Sequence, residues 1–580
     1  MVQDQYEPEY FVGSFEEVNT ATGQRSQVDV KYVDSIPQRA GFVNEFEGPN
    51  AKTVQRLPVF CIPVPGQSPW AQPTPRADRK QEGGLQQVGD GGAGEPTKRS
   101  REAEGADGMD CTVKSSSGTN ATILDDEPQG PVPSPLVKVK RTTAHEAALN
   151  ESSLRNAETK SAVAGAFHHG QELDLAGLPC VVKLYDYQEG DLKLNDIAEF
   201  VGVLGYDQPL PSHEEAPMGS DNPFQGMDGF IRKVPPPSLA PRLHCIFYRA
   251  ITACDPLVVD PKQPKDALHA LQGPLPFGAF MLDTKRQAIA HLASALGGDA
   301  LAAEYSLLTL LSRAYVRTES SAPGSLSLNL RGMSADHVPA LHAAVAKLVP
   351  KCVTIPITTQ SLSEMFKFAP KKDYEADRLM VSSLQLSEGT VVILDETRLE
   401  SGPVGAEGIH NISALKSLTS RQKIPYDFGF YKTDFDVDHP TIAVSSRGSV
   451  VPMGAVVSVD VSGEIPIVSH SATLARLRVY VEATRRMDLA LDEVSSSFAE
   501  EDFVKARQQG HALTGDDFHR MLTIARLTAL SLGEGMMNAS HWNHMKDLEA
   551  RVAGRAQGSG VERAPQAAGT TPLNAIPEDA

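Results

Sequence analysis

The chain has 580 residues, 41% of them hydrophobic, and a formal charge of −19. That length holds roughly two to four domains with a large core, and the acidic balance works against binding a phosphate backbone, which is driven by basic residues that release counterions. The six cysteines (Cys61, Cys111, Cys180, Cys245, Cys254, Cys352) are scattered without a C-x-x-C pair, which predicts neither a zinc cluster nor a disulfide framework and suits a reducing intracellular setting. With no run of about 18 apolar residues and no charged-then-apolar leader at Met1, the chain is expected to be soluble and not exported.

In chain order, residues 1–70 read as strand and turn: "EYFVGSFEEV" and "LPVFCIPVPG" are rich in β-branched and aromatic residues bounded by Pro and Gly. From 71 to 176 the composition collapses into Gly, Pro, Ser, Glu and Gln, a segment too poor in apolar area to offset its ordering entropy, so an insert without stable structure is expected. "LPCVVKLYDYQEGDLKLNDIAEFVGVLGYD" (178–207) then places two β-rich runs around a polar turn, with Gly202 interrupting the second, as in a small barrel. "PRLHCIFYRA" (241–250) adds another strand.

Past residue 260 the period changes. Ile289, Leu292, Ala293 and Leu296 fall on one helical face, and "DALAAEYSLLTLLSRAYV" (299–316) predicts a second, more apolar helix. "SLSLNL" (325–330) alternates as a strand and "GTVVILDE" (389–396) predicts a buried central one. A helix follows over 410–422, then a strand at "TIAVSS" (441–446). From Leu474 to about Arg551 the pattern is helical, with Thr514 as an N-cap ahead of Phe518, Leu522, Ala525 and Ala529 on one face.

"TVVILDETRLE" (390–400) raises the question of chemistry, because Asp395 and Glu396 end a buried strand as magnesium-holding carboxylates do in nucleotide-hydrolysing enzymes. An acid pair at a strand end is a weak signal, and the test is the phosphate cradle, G-x-x-x-x-G-K-[ST]. No Gly-Lys dipeptide occurs in the chain. There is likewise no G-x-S-x-G and no H-E-x-x-H, and His168-His169 reads as a solvated pair beside the insert. No residue is assigned a catalytic, cofactor-binding or metal-binding role, and none is expected.

About 90 residues before Asp395, "LGGDALAAEYSLL" (296–308) resembles the phosphate loop of the minichromosome maintenance (MCM) helicase ATPases, of the form G-D-P-G-x-A-K-S-Q-L-L. Laid over Gly298–Leu308, the second glycine becomes Leu301, the lysine Glu304 and the magnesium-binding serine Tyr305. A carboxylate in place of the cation turns an attraction of about 4 kcal/mol, at 4 Å and an effective dielectric of 20, into a repulsion of similar size. The preceding "RQAIAHLASAL" is also helical, where a phosphate loop follows a strand. "TIAVSSRG" resembles the sensor strand with Ser445 and Ser446 in place of its Asn, and no S-R-F motif follows.

Longer stretches resemble one family more closely, the minichromosome maintenance complex-binding proteins: "MVQDQYEPEYFVG", "CIPVPGQSPW", "VKLYDYQEGDLKLNDI", "LGGDALAAEYSLLTLLSRAY", "FAPKKDYEADRLMVSSLQLSEGTVVILDETRLESG", "GIHNISALKSLTSRQKIPYDF" and "EEDFVKARQ". The resemblance implies a multidomain α/β chain. An oligonucleotide/oligosaccharide-binding (OB)-like β-barrel (1–70 and 177–260) is interrupted by a disordered insert (71–176). A degenerate MCM/AAA+-like α/β domain (261–473), a helical lid (474–552) and a disordered tail (553–580) follow. It further implies a nuclear, non-catalytic partner of MCM helicase subunits that reaches chromatin through them. The implied duties are MCM disassembly from chromatin or subunit maintenance in DNA replication and cell division, with a link to sister-chromatid cohesion. No cofactor, membrane contact or direct nucleic-acid binding is expected. The alternative is an AAA+-like protein with residual nucleotide or single-stranded DNA binding through Asp395, Glu396 and the barrel. The family carries a further segment before the motif at Met1, so the chain is expected to start mid-barrel.

Overall fold

The computed structural model describes residues 1–72, 178–205, 240–461 and 471–558, apart from 35, 37–38, 47–48, 189, 258, 365–367, 375–377, 491–492 and 511–512. The expected insert from 73 on, His168-His169, Cys111 and the tail beyond 558 lie outside the described residues. The described part is mixed α/β.

The amino-terminal part is one curled sheet. Its strands are β1 (Val2–Gln5), β2 (Glu9–Asn19), β3 (Arg25–Asp29), β4 (Phe42–Glu45), β5 (Lys52–Cys61), β6 (Cys180–Leu184), β7 (Ala198–Gly205) and β8 (Arg242–Ala250). The order is β3-β2-β5-β6-β8-β7, with β1 on β5 and β4 on β2. The second half of β5 and most of β6 are apolar on both sides because both faces are covered there: Val59, Cys61, Val182 and Leu184 pack with Val2 and Cys245, while Phe60 and Val181 pack with Tyr6 and Ile62. The expected interruption at Gly202 is a register shift in the β7–β8 ladder between Val201 and Gly202. β3 and β7 end the strand order, so the sheet is a half-barrel.

Residues 62–72 strap this sheet to the rest. Ser68 donates through its N–H to Pro350 O (2.8 Å) and through Oγ to Val349 O (2.7 Å), Trp70 Nε1 donates to Ala346 O (2.8 Å), and Arg478 lies 4.2 Å over the Trp70 ring. Gly66 accepts from Cys352 N–H at 2.8 Å, with φ +65; a Cβ there would stand 2.4 Å from Cys352 O. Only glycine allows both the left-handed turn and the approach. Asp4 Oδ2 accepts from Leu379 N–H at 2.7 Å and Asn195 Nδ2 donates to Tyr426 OH at 2.8 Å, which adds two polar ties.

The larger part runs α1 (Pro264–Leu271), α2 (Phe277–Ala293), α3 (Ala300–Leu311), β9 (Leu328–Arg331), α4 (Val338–Leu348), β10 (Cys352–Pro356), α5 (Thr359–Ser363), β11 (Lys371–Asp373), β12 (Arg378–Met380), β13 (Val391–Asp395), α6 (Ala406–Arg421), β14 (Lys423–Asp427), β15 (Lys432–Asp436), β16 (Thr441–Ser445), β17 (Ala455–Ser458), α7 (Ser471–Arg486), α8 (Glu493–Gln508), α9 (Gly515–Ser531) and α10 (Ala539–Gly558). Strands β10-β13-β16-β9-β17 form a parallel sheet, and β12-β11-β14-β15 a smaller one. Alternate residues face opposite cores: Val391, Ile393, Ile442 and Val444 meet the packing of α2–α4 and the carboxyl-terminal helices, while Val392, Leu394 and Ala443 meet α6 and the small sheet. Burial on both faces explains why "GTVVILD" is an unbroken apolar run.

Thr514 caps α9 through a reciprocal pair of bonds with Asp517, and Ala525 and Ala529 below it are fully buried. The helix expected over 299–316 stops at Leu311, because Ser312 turns extended and its hydroxyl takes the Thr309 carbonyl at 2.8 Å. The following residues leave as a loop in which Arg317 donates to Gln422 O and Val437 O. α10 continues past Val552 to Gly558, and Trp542, Met545 and Leu548 enter the same core as Leu292, Leu301 and Leu307.

Candidate functional site

In an open parallel sheet, ligands sit outside the carboxyl ends of the strands where the strand order reverses. Here β9 is first in the chain but lies between β16 and β17, so the reversal falls at β9 and the loop 332–337 that leads into α4. This is the strand–turn–helix unit where a phosphate loop belongs by topology. It reads Gly332-Met333-Ser334-Ala335-Asp336-His337, with one glycine and no lysine. Its groups serve the protein itself: Gly332 N–H donates to Ser445 O at 2.8 Å, Ser446 Oγ to Met333 O at 3.4 Å, and Ser334 Oγ bonds His337 Nδ1 at 2.8 Å. The signal for it, "SLSLNLRGMSADHVPA", is a strand, a lone glycine and a helix start, fainter in the sequence than the glycine pair at 297–298.

Asp395 and Glu396 do reach this edge. Asp395 Oδ1 accepts from Thr397 N–H (3.0 Å) and Oγ1 (2.6 Å), an inward turn of its own loop. Glu396 is buried; its carboxylate accepts from Ser449 Oγ at 2.8 Å and Val450 N–H at 3.0 Å. Burial pushes its carboxyl up to about 7 against the pull of those two bonds. Ser445 Oγ donates to Asn329 Oδ1 at 2.9 Å, so the strand that matches the sensor is tied to β9 by a hydroxyl. A carboxyl pushed toward neutrality therefore lies at this sheet edge.

The segment 297–308 is a helix cap and a core. Gly297 has φ +64 and a Cβ there would lie 2.8 Å from Val461 Cα, so the α2–α3 turn needs glycine. Asp299 caps α3 through Leu301 N–H (2.9 Å) and Ala302 N–H (3.1 Å), and also accepts from Asp460 N–H (2.9 Å) and Arg555. Glu304 lies 2.9 Å from Lys285 Nζ and 2.8 Å from His544 Nε2; burial would raise its pKa, but these partners win and hold it at about 2. Tyr305 is fully buried and donates through its hydroxyl to Glu549 at 2.8 Å. The three residues that stand in the phosphate-binding positions of the resemblance, Leu301, Glu304 and Tyr305, all point into protein.

The described cysteines are buried or half-buried thiols. Burial pushes Cys61 up to about 12 and Cys180 and Cys245 up to about 11, which leaves them protonated at neutral pH. Among the described residues, no group of three His, Cys, Asp or Glu side chains is arranged to hold a metal ion, and no helix is long and apolar enough to cross a membrane.

The whole pattern has relatives. The chain is similar to proteins named mini-chromosome maintenance complex-binding protein from Danio rerio (28% identical, 96% of this chain and 87% of the relative), Arabidopsis thaliana (28%, 95% and 85%) and Homo sapiens (26%, 96% and 88%). The family model described as mini-chromosome maintenance replisome factor matches residues 1–556, through all three sheets and into the last helix. The chain belongs to the mini-chromosome maintenance replisome factor family.

Proposed function

We propose that this chain is a non-catalytic binding partner of the MCM helicase complex, acting in the nucleus on MCM subunits during DNA replication. Its duty is the removal of MCM from chromatin or the maintenance of MCM subunits, with the link to sister-chromatid cohesion following from that. The observation that carries the non-catalytic reading is the loop 332–337, which stands where topology sets a phosphate loop and holds a single glycine, while Glu304 and Tyr305, at the positions of the sequence resemblance, are core, closed on Lys285 and His544 and on Glu549. The loop 332–337 also lacks a lysine. Most nucleotide affinity and catalysis comes from such cationic positioning.

We read the parallel sheet with its helices as a degenerate AAA+-like body and the half-barrel as OB-like. Such a body docks on an MCM surface that otherwise faces a neighbouring subunit, and brings no triphosphate to the joint. Mixing the purified chain with MCM subunits, with and without ATP, tests this by size-exclusion chromatography. A complex of equal strength in both conditions is expected; no complex, or one that requires ATP bound to this chain, sinks the reading.

Glu396 favours one rival, residual nucleotide binding, since a carboxyl pushed up to about 7 is suited to accept a proton. A fluorescent ATP analogue with magnesium separates the two: saturable binding in the micromolar range supports the rival.

A further inference from the structure

The β14–β15 hairpin ends in an aromatic tip that is held rigid and left in solvent. Phe430 is 90% exposed, Tyr431 60% and Tyr374, beside it after β11, 53%. Phe428 N–H donates to Tyr431 O (2.9 Å), Gly429 N–H to Asp427 Oδ1 (2.8 Å) and Tyr374 OH to Phe428 O (2.5 Å). Phe428 stacks on Tyr431 with ring centroids 5.1 Å apart, and Phe430 meets Tyr374 edge-on at 5.4 Å. The hairpin base is fixed in turn, since Tyr426 is fully buried and pairs with Phe435 at 4.1 Å. Rings ordered in advance lose little entropy on binding, and three exposed aromatic rings gathered at one tip suit a contact site.

The charges around the tip decide the kind of partner. Lys432 stands 3.6 Å from Asp427, Arg421 3.5 Å from Asp434 and Lys423 3.9 Å from Asp436, so each of these cations is matched by a carboxylate. Stacking on a nucleic acid works together with a cationic groove that tracks the backbone, and the hairpin does not present one. Aromatic side chains with neutral surroundings are the usual central anchors of protein interfaces. We propose that Phe430 and Tyr431, backed by Phe428 and Tyr374, insert into an uncharged apolar pocket on a folded MCM subunit. This rests on the MCM-partner reading above and locates the contact.

The test uses the full chain and purified MCM subunits. Replacing both exposed anchors (Phe430→Ala with Tyr431→Ala) is expected to weaken the complex by about tenfold to a hundredfold in a titration, as for interface hot spots. Tyr10→Ala, at a 70% exposed position of the half-barrel, is expected to leave affinity unchanged. A photo-crosslinking p-benzoylphenylalanine at position 430 is expected to capture an MCM subunit, which keeps the proposal testable if the double variant folds poorly. Wild-type affinity in a folded double variant, or no MCM adduct from position 430 while the complex forms, overturns the hairpin assignment. Failure of the unmodified chain to bind any MCM subunit instead overturns the reading beneath it. Loss of single-stranded oligonucleotide binding in the double variant, with MCM binding intact, would make the tip a base-stacking platform and also overturn the proposal.

Discussion

Asp299 and Arg555, 256 residues apart in the chain, form a two-point ion pair of 2.5 and 3.0 Å. Asp299 is the N-cap of α3 and Arg555 lies in the last turn of α10, so the pair fastens the end of the described chain to the first helices of the α/β part. Burial works to raise the Asp299 pKa, but hydrogen bonds from Arg555 and the Asp460 and Ala302 N–H groups hold it below the usual carboxylate range. The LGGD stretch, which resembles a phosphate loop in sequence, is thus a structural clamp.

Asp299→Ala removes a helix cap and strips Arg555 of its partner at once. The loss is expected at about 2–4 kcal/mol, between the value of a cap and that of a broken buried pair. Differential scanning calorimetry should show a lowered first transition, and an unchanged profile would sink the clamp.

Glu304→Lys supplies a cation where the sequence resemblance would put the phosphate-loop lysine, yet is expected to bring no ATP binding. The new cation would face Lys285 in a site that is almost dry, at a cost of about 3–5 kcal/mol. A nucleotide titration and a thermal melt on the same sample check both parts; gain of ATP affinity would contradict the assignment of this helix to the core.

Gly66→Ala is expected to loosen the strap between half-barrel and α/β part, because the new Cβ would stand 2.4 Å from the Cys352 carbonyl in a left-handed turn. Strain at such a position is on the order of 1–3 kcal/mol. Limited proteolysis should cut the variant near residues 62–72 faster than the parent chain; equal rates would argue against the strap.

Glu396 predicts a pH effect of definite sign. Its folded pKa of about 7 lies above the ordinary 4.5, so the folded state holds the proton more tightly and stability falls as pH rises from about 4.5 to 7. Above that window the penalty is complete and amounts to roughly 3 kcal/mol by linkage. Glu396→Gln keeps an acceptor for Val450 N–H without the charge, so its melting point is expected to exceed the parent's at pH 8 and to approach it at pH 4.5. A difference that stays constant with pH would refute the burial argument.

Much of this molecule was legible in the residues. The unbroken run "GTVVILD" and the Thr514 cap each follow from local chemistry and form where they are read, at β13 and the start of α9, while "SLSLNL" becomes strand only from Leu328, in β9. The seven long motifs likewise carry the family, which matches residues 1–556. The absence of any Gly-Lys dipeptide, and so of a phosphate-loop lysine in its usual setting, also belongs to the sequence, since it needs no fold to be stated.

What those residues do was decided by packing across distance. Glu304 meets His544, 240 residues away, and Asp299 meets Arg555, contacts that no periodicity encodes. The loop that topology sets at the sheet's reversal, Gly332–His337, emerges only once β9 is seen between β16 and β17, because strand order depends on crossovers and not on any strand's own pattern. The exposed aromatic tip at Phe430 is decided the same way: a Phe in sequence reads as core, and only the neighbours it lacks show it to be surface.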